Sequence, residues 1–284
     1  MPGTLPFAAP TALDYFASLV ADDSSLPLLE TAVALAQDEQ PGLDVQGVLA
    51  RVDALADRLR KRIPADTAPL PRLRLLNRYF FEELGFAGNV NHYDDPRNSL
   101  LPAVLETRRG IPISLAVLYI EFAVQIGLRA QGVSFPGHFL VKIAMPRGEV
   151  VLDPFTGQSL AREELEERLA PYLRQHGLVG DNEVPLGLFL QAAPARDVIA
   201  RMLGNLKEIH RRSGDTQRLI QVLERMVIVL PQAWEEQRDL ALALADAGHH
   251  AGAAAALALY LENQPAAEDT APLRRRLAAW RRLM

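Results

Sequence analysis

Apolar residues recur at the helical period through the first part of the chain. Within residues 12–20, Leu13, Phe16, Leu19 and Val20 fall on one face of a helix. Further runs of apolar residues, bounded by proline, glycine or capping residues, predict helices at residues 28–37, 44–62, 72–84 and 99–107. We therefore expect the chain to begin with a helical region.

The stretch from Ile111 to Ile126 is apolar nearly all round and predicts a helix that is buried on most faces. Pro112 suits the first helical position, where its missing N–H costs no hydrogen bond. Beyond this helix the pattern changes to short runs of β-branched and aromatic residues at 130–135, 138–143 and 149–153. The short turns between these runs predict an antiparallel sheet, and residues 157–173 return to a helical pattern.

After a segment with several glycines and prolines, residues 174–194, the chain repeats itself at a period of 34. Gly214 recurs as Gly248, and Pro231 recurs as Pro265. A glycine at the inter-helix turn and a proline after the second helix, at this period, resemble tetratricopeptide repeats. Two repeats and a final helix are fewer than a free solenoid needs, so we expect this region to dock on the rest of the protein.

These patterns predict two domains and an α+β fold class that is mostly helical. The first domain covers residues 1–180, and the all-α repeat domain covers residues 190–284. The final helix of the repeat domain is rich in arginine, which indicates either a solvated cap face or a site for an acidic peptide. Its arginines are Arg274, Arg275, Arg276, Arg281 and Arg282.

The net charge and the absence of cysteine exclude several kinds of partner and site. The chain of 284 residues has a net charge of −5, which gives no general electrostatic reason to bind nucleic acid or an anionic membrane. It contains no cysteine, which excludes disulfides, thiolate catalysis and cysteine-type metal sites. The N-terminal residues lack the features of a secretory signal, and no uncharged apolar run reaches about 18 residues. We expect a cytoplasmic protein.

Two residues on neighbouring predicted strands point to the chemistry of a site. Asp153 lies one strand from His138, and an aspartate in that position can hold an imidazole in one tautomer. A nucleophile at a helix N-terminus would complete a catalytic set, since the helix dipole lowers the pKa of a thiol there. The order of helix, histidine strand and aspartate strand resembles the transglutaminase-like superfamily, whose members use Cys, His and Asp in that order to attack amides.

The start of the apolar helix tests this resemblance residue by residue. The pattern of the superfamily is roughly Gly-x-Cys-x-x-x-Ala, and Gly110 and Ala116 stand in register with it. The cysteine position then falls on Pro112, which has no nucleophile. The resemblance therefore implies a vestigial triad at Pro112, His138 and Asp153.

Four longer runs carry a further resemblance: Asp95–Ser99, Arg108–Leu115, Pro136–Val141 and Asp153–Phe155. With these runs the chain resembles SirB-like bacterial proteins, which pair an N-terminal transglutaminase-like domain with C-terminal tetratricopeptide repeats. The resemblance implies a cysteine-protease-like domain with a small antiparallel sheet, followed by helical repeats. It also implies that the missing cysteine is a family property.

Our first functional hypothesis is a non-catalytic module that binds a protein or peptide through its vestigial cleft and its repeats. The cleft candidates are Asn98, Arg109, His138 and Asp153, and Arg109 is a candidate for gripping a carboxylate there. No catalytic residue is assigned under this hypothesis, and the identity of the partner is unknown.

Two alternatives stay open. The first is a hydrolase or acyl-transfer enzyme that uses Ser114, or a water activated by His138 and Asp153. Ser114 lies two helical steps, about 200°, from the cysteine position, so the helix start would have to shift for it to react. The second is a scaffold whose cleft is filled by the polar loop at residues 86–98.

Other kinds of site have little support. Of the six histidines only His249 and His250 are close in sequence, and no carboxylate spacing accompanies them, so we predict no metal site. The chain has no glycine loop of the phosphate-binding form, and we expect no cofactor.

Overall fold

A computed structural model describes residues 10–178, 180 and 184–283. The expectations for the N-terminal nine residues and for residue 284 lie outside this range. Among the described residues the helices are α1 (Ala12–Leu19), α2 (Leu28–Ala34), α3 (Val45–Arg60), α4 (Pro69–Asn77), α5 (Leu101–Thr107), α6 (Pro112–Gln125), α7 (Arg162–Gln175), α8 (Leu186–Phe189), α9 (Ala195–Ser213), α10 (Thr216–Val229), α11 (Trp234–Asp246), α12 (His250–Asn263) and α13 (Thr270–Trp280). The strands are β1 (Ala87–Gly88), β2 (Arg109–Gly110), β3 (Ala130–Val133), β4 (Leu140–Met145), β5 (Gly148–Asp153) and β6 (Gln158–Leu160).

The described residues form two compact units. The sheet unit comprises residues 27–36 and 43–202, and the repeat unit comprises residues 10–26, 37–42 and 203–283. Helix α1 therefore belongs to the repeat unit, and the first part of α9 belongs to the sheet unit. This distribution differs from the predicted domains at 1–180 and 190–284, because contacts between helices distant in sequence leave no local pattern.

Four strands of the sheet unit form an antiparallel sheet in the order β3-β4-β5-β6. The register pairs Val133 with Leu140 and Val141 with Leu152. Residues 157–160 were predicted to begin a helix, but Gln158–Leu160 form strand β6 instead, because a tight turn returns the chain along β5. Helix α7 begins only at Arg162. Strands β1 and β2 form a separate parallel pair. Strand β1 lies within the predicted polar loop, and β2 follows α5.

Helix α6 is the centre of the sheet unit, as its apolar pattern predicts. Phe122 and Tyr119 on this helix are 0% exposed and pack edge-on against Phe80. Phe80 lies in a π-helical segment, Arg78–Glu83, which continues α4 where the sequence predicted a regular helix. On the other side of the sheet, α7 and α8 cover a core of aliphatic and aromatic side chains: Val133, Phe135, Leu140, Val151, Leu160, Leu165, Leu169 and Leu186.

The repeat unit contains the later part of α9 and helices α10 to α13. Gly214 and Gly248 stand at its two equivalent inter-helix turns, with φ of 71° and 80°. This left-handed backbone favours glycine and explains why glycine recurs at that period. The helices then bury their apolar faces against the next helix, as expected for stacked repeats.

Helix α1 completes the repeat unit by packing on α10. Arg225 of α10 is 2% exposed, and its Nη1 lies 2.6 Å from Asp38 Oδ2. The same guanidinium lies over the ring of Phe16, a fully buried residue of α1. A buried ion pair and a buried aromatic ring thus join residues from both ends of the sequence. Across the described part of the chain, no helix has the length and hydrophobicity needed to span a membrane.

Candidate functional site

Asp153 is the centre of a buried polar network at the end of β5. Its Oδ1 accepts hydrogen bonds from the Phe155 N–H at 2.9 Å and from His138 Nε2 at 2.8 Å. Its Oδ2 accepts a third, from Arg168 Nη1 of α7 at 3.0 Å. The Asp153 side chain is only 2% exposed, so the structure supplies three donors in place of water.

These contacts keep the Asp153 carboxyl group ionised. Burial alone would raise the pKa of Asp153, but the hydrogen bonds and charge of His138, together with Arg168, lower this pKa to about 2. Asp153 is therefore an ionised acceptor, and its contact occupies His138 Nε2. The other ring nitrogen, Nδ1, is left to form a hydrogen bond with a ligand.

The backbone around His138 is held from a separate element. His138 lies in the turn before β4, where its N–H donates to Phe135 O at 3.0 Å. Arg201 of α9 donates from Nη2 to the His138 carbonyl at 2.7 Å and from Nη1 to Ser134 Oγ at 2.6 Å. The His138 side chain remains 24% exposed. The ring is thus fixed at its Nε2 edge and at its backbone, and it is still open to solvent.

One side of this site is formed by aromatic rings. Tyr93 of the polar loop packs against Phe155 with ring centroids 6.0 Å apart. The ring of Phe155 lies directly over Gly88, where a Cβ atom would be 2.4 Å away. Burial raises the pKa of Tyr93, with the nearby charge of Arg201 acting in the opposite direction. The polar loop therefore borders the site, yet it leaves His138 partly exposed.

The residues at the start of helix α6 are buried, and the polar side chain there bonds to the backbone. Pro112 is the first residue of the helix and is buried. Ser114 Oγ accepts a hydrogen bond from the Ile111 N–H at 3.1 Å and donates one to Asn98 O at 2.6 Å. Ser114 is 0% exposed, and within the described residues its hydroxyl makes no hydrogen bond to His138. The hydroxyl holds the helix start in place, which leaves the proposed nucleophile engaged with backbone.

The side chains of Asn98 and Arg109 form hydrogen bonds with backbone carbonyls. The Asn98 side chain is 3% exposed, and its Nδ2 donates to His92 O at 2.6 Å and to Tyr93 O at 3.1 Å. Arg109 is exposed and donates from Nη1 to Gly85 O at 2.8 Å. Of the four predicted cleft residues, the structure joins His138 and Asp153 directly. Asn98 reaches the site only by shaping the loop that carries Tyr93.

Two arginines in the network, Arg168 and Arg201, were not predicted from the sequence. Both lie on helices that follow the sheet, and each meets the site through tertiary contacts. No group of three or more histidine, aspartate or glutamate side chains in the described part of the chain is arranged to hold a metal ion.

Comparison with family models confirms the predicted fold class. A model described as the transglutaminase-like superfamily matches residues 46–204, and a tetratricopeptide repeat model matches residues 206–278. The predicted transglutaminase-like domain, followed by tetratricopeptide repeats, is therefore confirmed.

Individual relatives extend this result. A UPF0162 protein of Xylella fastidiosa strain 9a5c is 39% identical over 87% of this chain and 88% of its own length. UPF0162 protein PA3419 of Pseudomonas aeruginosa is 29% identical over 72% of each chain. Among solved structures, the crystal structure of menin aligns with 90% of this chain and 70% of its own, at 9% identity and a TM-score of 0.42. A likeness at that level supports no conclusion about function.

Proposed function

The chain belongs to the transglutaminase-like superfamily, and we propose that it is a non-catalytic member that binds a protein or peptide segment. The observation that carries the proposal is the contrast between Pro112 at the cysteine position and the intact, partly exposed pair of His138 and Asp153. A chain with no cysteine cannot perform the chemistry of the superfamily with a thiolate. The remaining pair is suited to recognition.

The recognition chemistry follows from the geometry of the pair. The His138 ring is held by Asp153 at Nε2 and by Arg201 through the backbone, which leaves Nδ1 for a ligand. A peptide group carries both an N–H donor and a C=O acceptor, so it can pair with Nδ1. The exposed ring of Tyr93 adds a flat apolar surface beside it, which suits an extended segment.

The repeat unit supports the same proposal. Tetratricopeptide repeats generally mediate protein–protein interactions, and this unit has a cavity of about 360 Å³ lined by residues of α9, α10 and α11. The lining includes Arg211, Asp239 and Asp246, so both signs of charge meet there. We propose a protein partner in the cytoplasm, and no nucleic-acid or membrane partner.

Site-specific crosslinking tests the proposal. A photoreactive amino acid replaces Tyr93 beside the site, and the same amino acid at exposed Arg147, in the β4–β5 turn, serves as the control. We expect one reproducible protein partner from position 93, absent from position 147, whose binding in vitro weakens about tenfold in His138→Ala. No reproducible partner, or a partner indifferent to His138, would count against the proposal.

The second candidate is a hydrolase in which His138 activates a water. The exposed ring and the ionised Asp153 favour this candidate over one that uses Ser114, whose hydroxyl is fully buried. A screen of amide and ester substrates with wild-type and His138→Ala protein tests it. Turnover by wild type that His138→Ala abolishes would replace the binding proposal with an enzymatic one. Turnover by neither protein would exclude the enzyme for those substrates.

A further inference from the structure

A second surface of the sheet unit carries four arginines, near Tyr79 and the end of α5. Arg51 and Arg58 are seven residues apart in α3 and project along one side of this helix, and Arg62 follows in the turn after the helix ends at Arg60. Tyr79 lies against α3, because its hydroxyl donates to Leu55 O at 3.0 Å and Arg62 lies over its ring. Arg108 follows α5 close to the same side, since Glu106, two residues before it, is 3.9 Å from Arg51. We call these four residues the arginine face.

The acidic residues near the arginine face neutralise only part of its charge. Arg62 pairs with Glu83 at 2.5 Å, whereas Arg51 approaches Glu106 only to 3.9 Å. Within the part of the chain that the structure describes, neither Arg58 nor Arg108 forms an ion pair. The surface therefore keeps positive charge in a protein whose net charge is −5.

Arg108 is held in an unusual way for an arginine. Its φ of 59° lies in the left-handed region, where glycine or asparagine is the usual residue at a helix end. Its guanidinium lies 4.6 Å from the centre of the Phe86 ring. Its Nη1 is buried and has no hydrogen-bond partner among the described residues. Burial, and then the charge of Arg51, lowers the pKa of Arg108.

We propose that the arginine face binds an acidic segment of a protein partner, with one carboxylate seated on the guanidinium of Arg108. A planar guanidinium binds a carboxylate through two parallel hydrogen bonds, and the Arg108 side chain is partly exposed. The remaining charge of Arg58 would face a second carboxylate. This site involves neither His138 nor Asp153, and it goes beyond the function proposed above.

The chemistry favours a short acidic peptide over a nucleic acid. Glu83 and Glu106 lie next to the arginines and would repel a continuous line of phosphates. The acidic net charge of the protein would add to that repulsion at low salt. A peptide can instead place its carboxylates at the arginines and leave neutral residues opposite the two glutamates.

Fluorescence anisotropy with the full-length protein and a labelled peptide of alternating glutamate and serine tests the site. We expect binding that weakens as salt rises, and a loss of affinity of about tenfold in Arg108→Gly. Glycine accepts the left-handed backbone, so this variant removes the guanidinium without adding strain. Arg147→Ala removes the same charge from an exposed turn, and we expect it to change affinity less than about twofold.

Three results would overturn the proposal. The first is wild-type affinity in Arg108→Gly, and the second is an equal loss in Arg147→Ala. The third is tighter, Arg108-dependent binding of a DNA duplex, which would make the surface a nucleic-acid site. If circular dichroism shows that Arg108→Gly does not fold, Arg58→Ala at an exposed position of α3 replaces it. We expect that variant to lose affinity about fivefold, and unchanged affinity would overturn the proposal equally.

Discussion

The start of α6 and the ends of β4 and β5 use their polar groups differently. At the helix start, the hydroxyl of Ser114 is fully buried and bonded to the backbone of Ile111 and Asn98. At the strands, Asp153 is equally buried, but it aligns a His138 ring that is still 24% exposed. A buried polar group whose hydrogen bonds all go to the backbone stabilises the fold. A polar group that is held in position and remains exposed to solvent is available to a ligand. Burial together with the identity of the partner therefore separates structural from functional roles here.

Among the variants that test this difference, Asp153→Ala should have the largest effect on stability. The variant removes the acceptor of three donors, including His138 and Arg168, and we expect the free energy of unfolding to fall by about 3 kcal/mol. Urea denaturation measures this change. Asp94→Ala, at an exposed position of the polar loop, is the control and should cost less than about 0.5 kcal/mol. A cost below about 1 kcal/mol for Asp153→Ala would contradict the network described above.

The pH dependence of stability sharpens the same point. The pKa of Asp153 is lowered in the folded state to about 2 from an ordinary value of 3.8, so the unfolded chain binds more protons between these values. The ionised carboxylate stabilises the fold above that range, and its contribution is lost as pH falls through it. We expect the advantage of wild type over Asp153→Asn to shrink by about 2 kcal/mol between about pH 5 and pH 2. Urea denaturation across a pH series tests this, and a constant difference would contradict it.

Ser114→Ala tests the other half of the comparison. The change removes the hydroxyl's bonds to the Ile111 N–H and Asn98 O, although these two groups still bond to each other at 3.3 Å, and we expect a loss of about 1 kcal/mol in the free energy of unfolding. Ser159→Ala, at an exposed position of β6, provides the matched control and should be nearly neutral. Equal stability of wild type and Ser114→Ala in thermal unfolding would mean that this hydroxyl is free for another role.

The smallest expected effect belongs to Arg168→Ala. Its side chain is 38% exposed, so water can replace much of its contact with Asp153, and we expect a cost below about 1 kcal/mol. The pKa of Asp153, followed by NMR, should rise in this variant because a donor and a positive charge are lost. Arg162→Ala removes an exposed arginine of the same helix that pairs with Glu166, and it should leave this pKa unchanged.

Local patterns were sufficient to predict the centre of the sheet unit. The apolar run after Pro112 indicated the buried helix α6, and the short runs after it indicated the antiparallel sheet. The contact between His138 and Asp153 followed from strand order, because adjacent antiparallel strands bring their facing ends together. The three residues of β6 were too few for a strand pattern to be distinguished from the start of a helix.

The remaining parts of the site depend on tertiary packing. Arg168 and Arg201 reach the site from α7 and α9, and in the sequence each is one arginine among many on a polar helix face. Arg109 was assigned to the cleft by proximity to the helix start, but its guanidinium is bound by the carbonyl of Gly85. Which backbone carbonyl a long side chain reaches is decided by packing between distant segments, and no periodicity records it.

The buried contact between Arg225 and Phe16 has a consequence for the order in which the protein is made. Helix α1 leaves the ribosome before the sheet unit, while its partner α10 is synthesised after the whole sheet unit. The apolar face of α1 therefore stays uncovered during most of translation, although the sheet unit can already collapse around α6. A ribosome-bound chain that ends before α10 should expose α1 to protease, and one that extends past α13 should protect it.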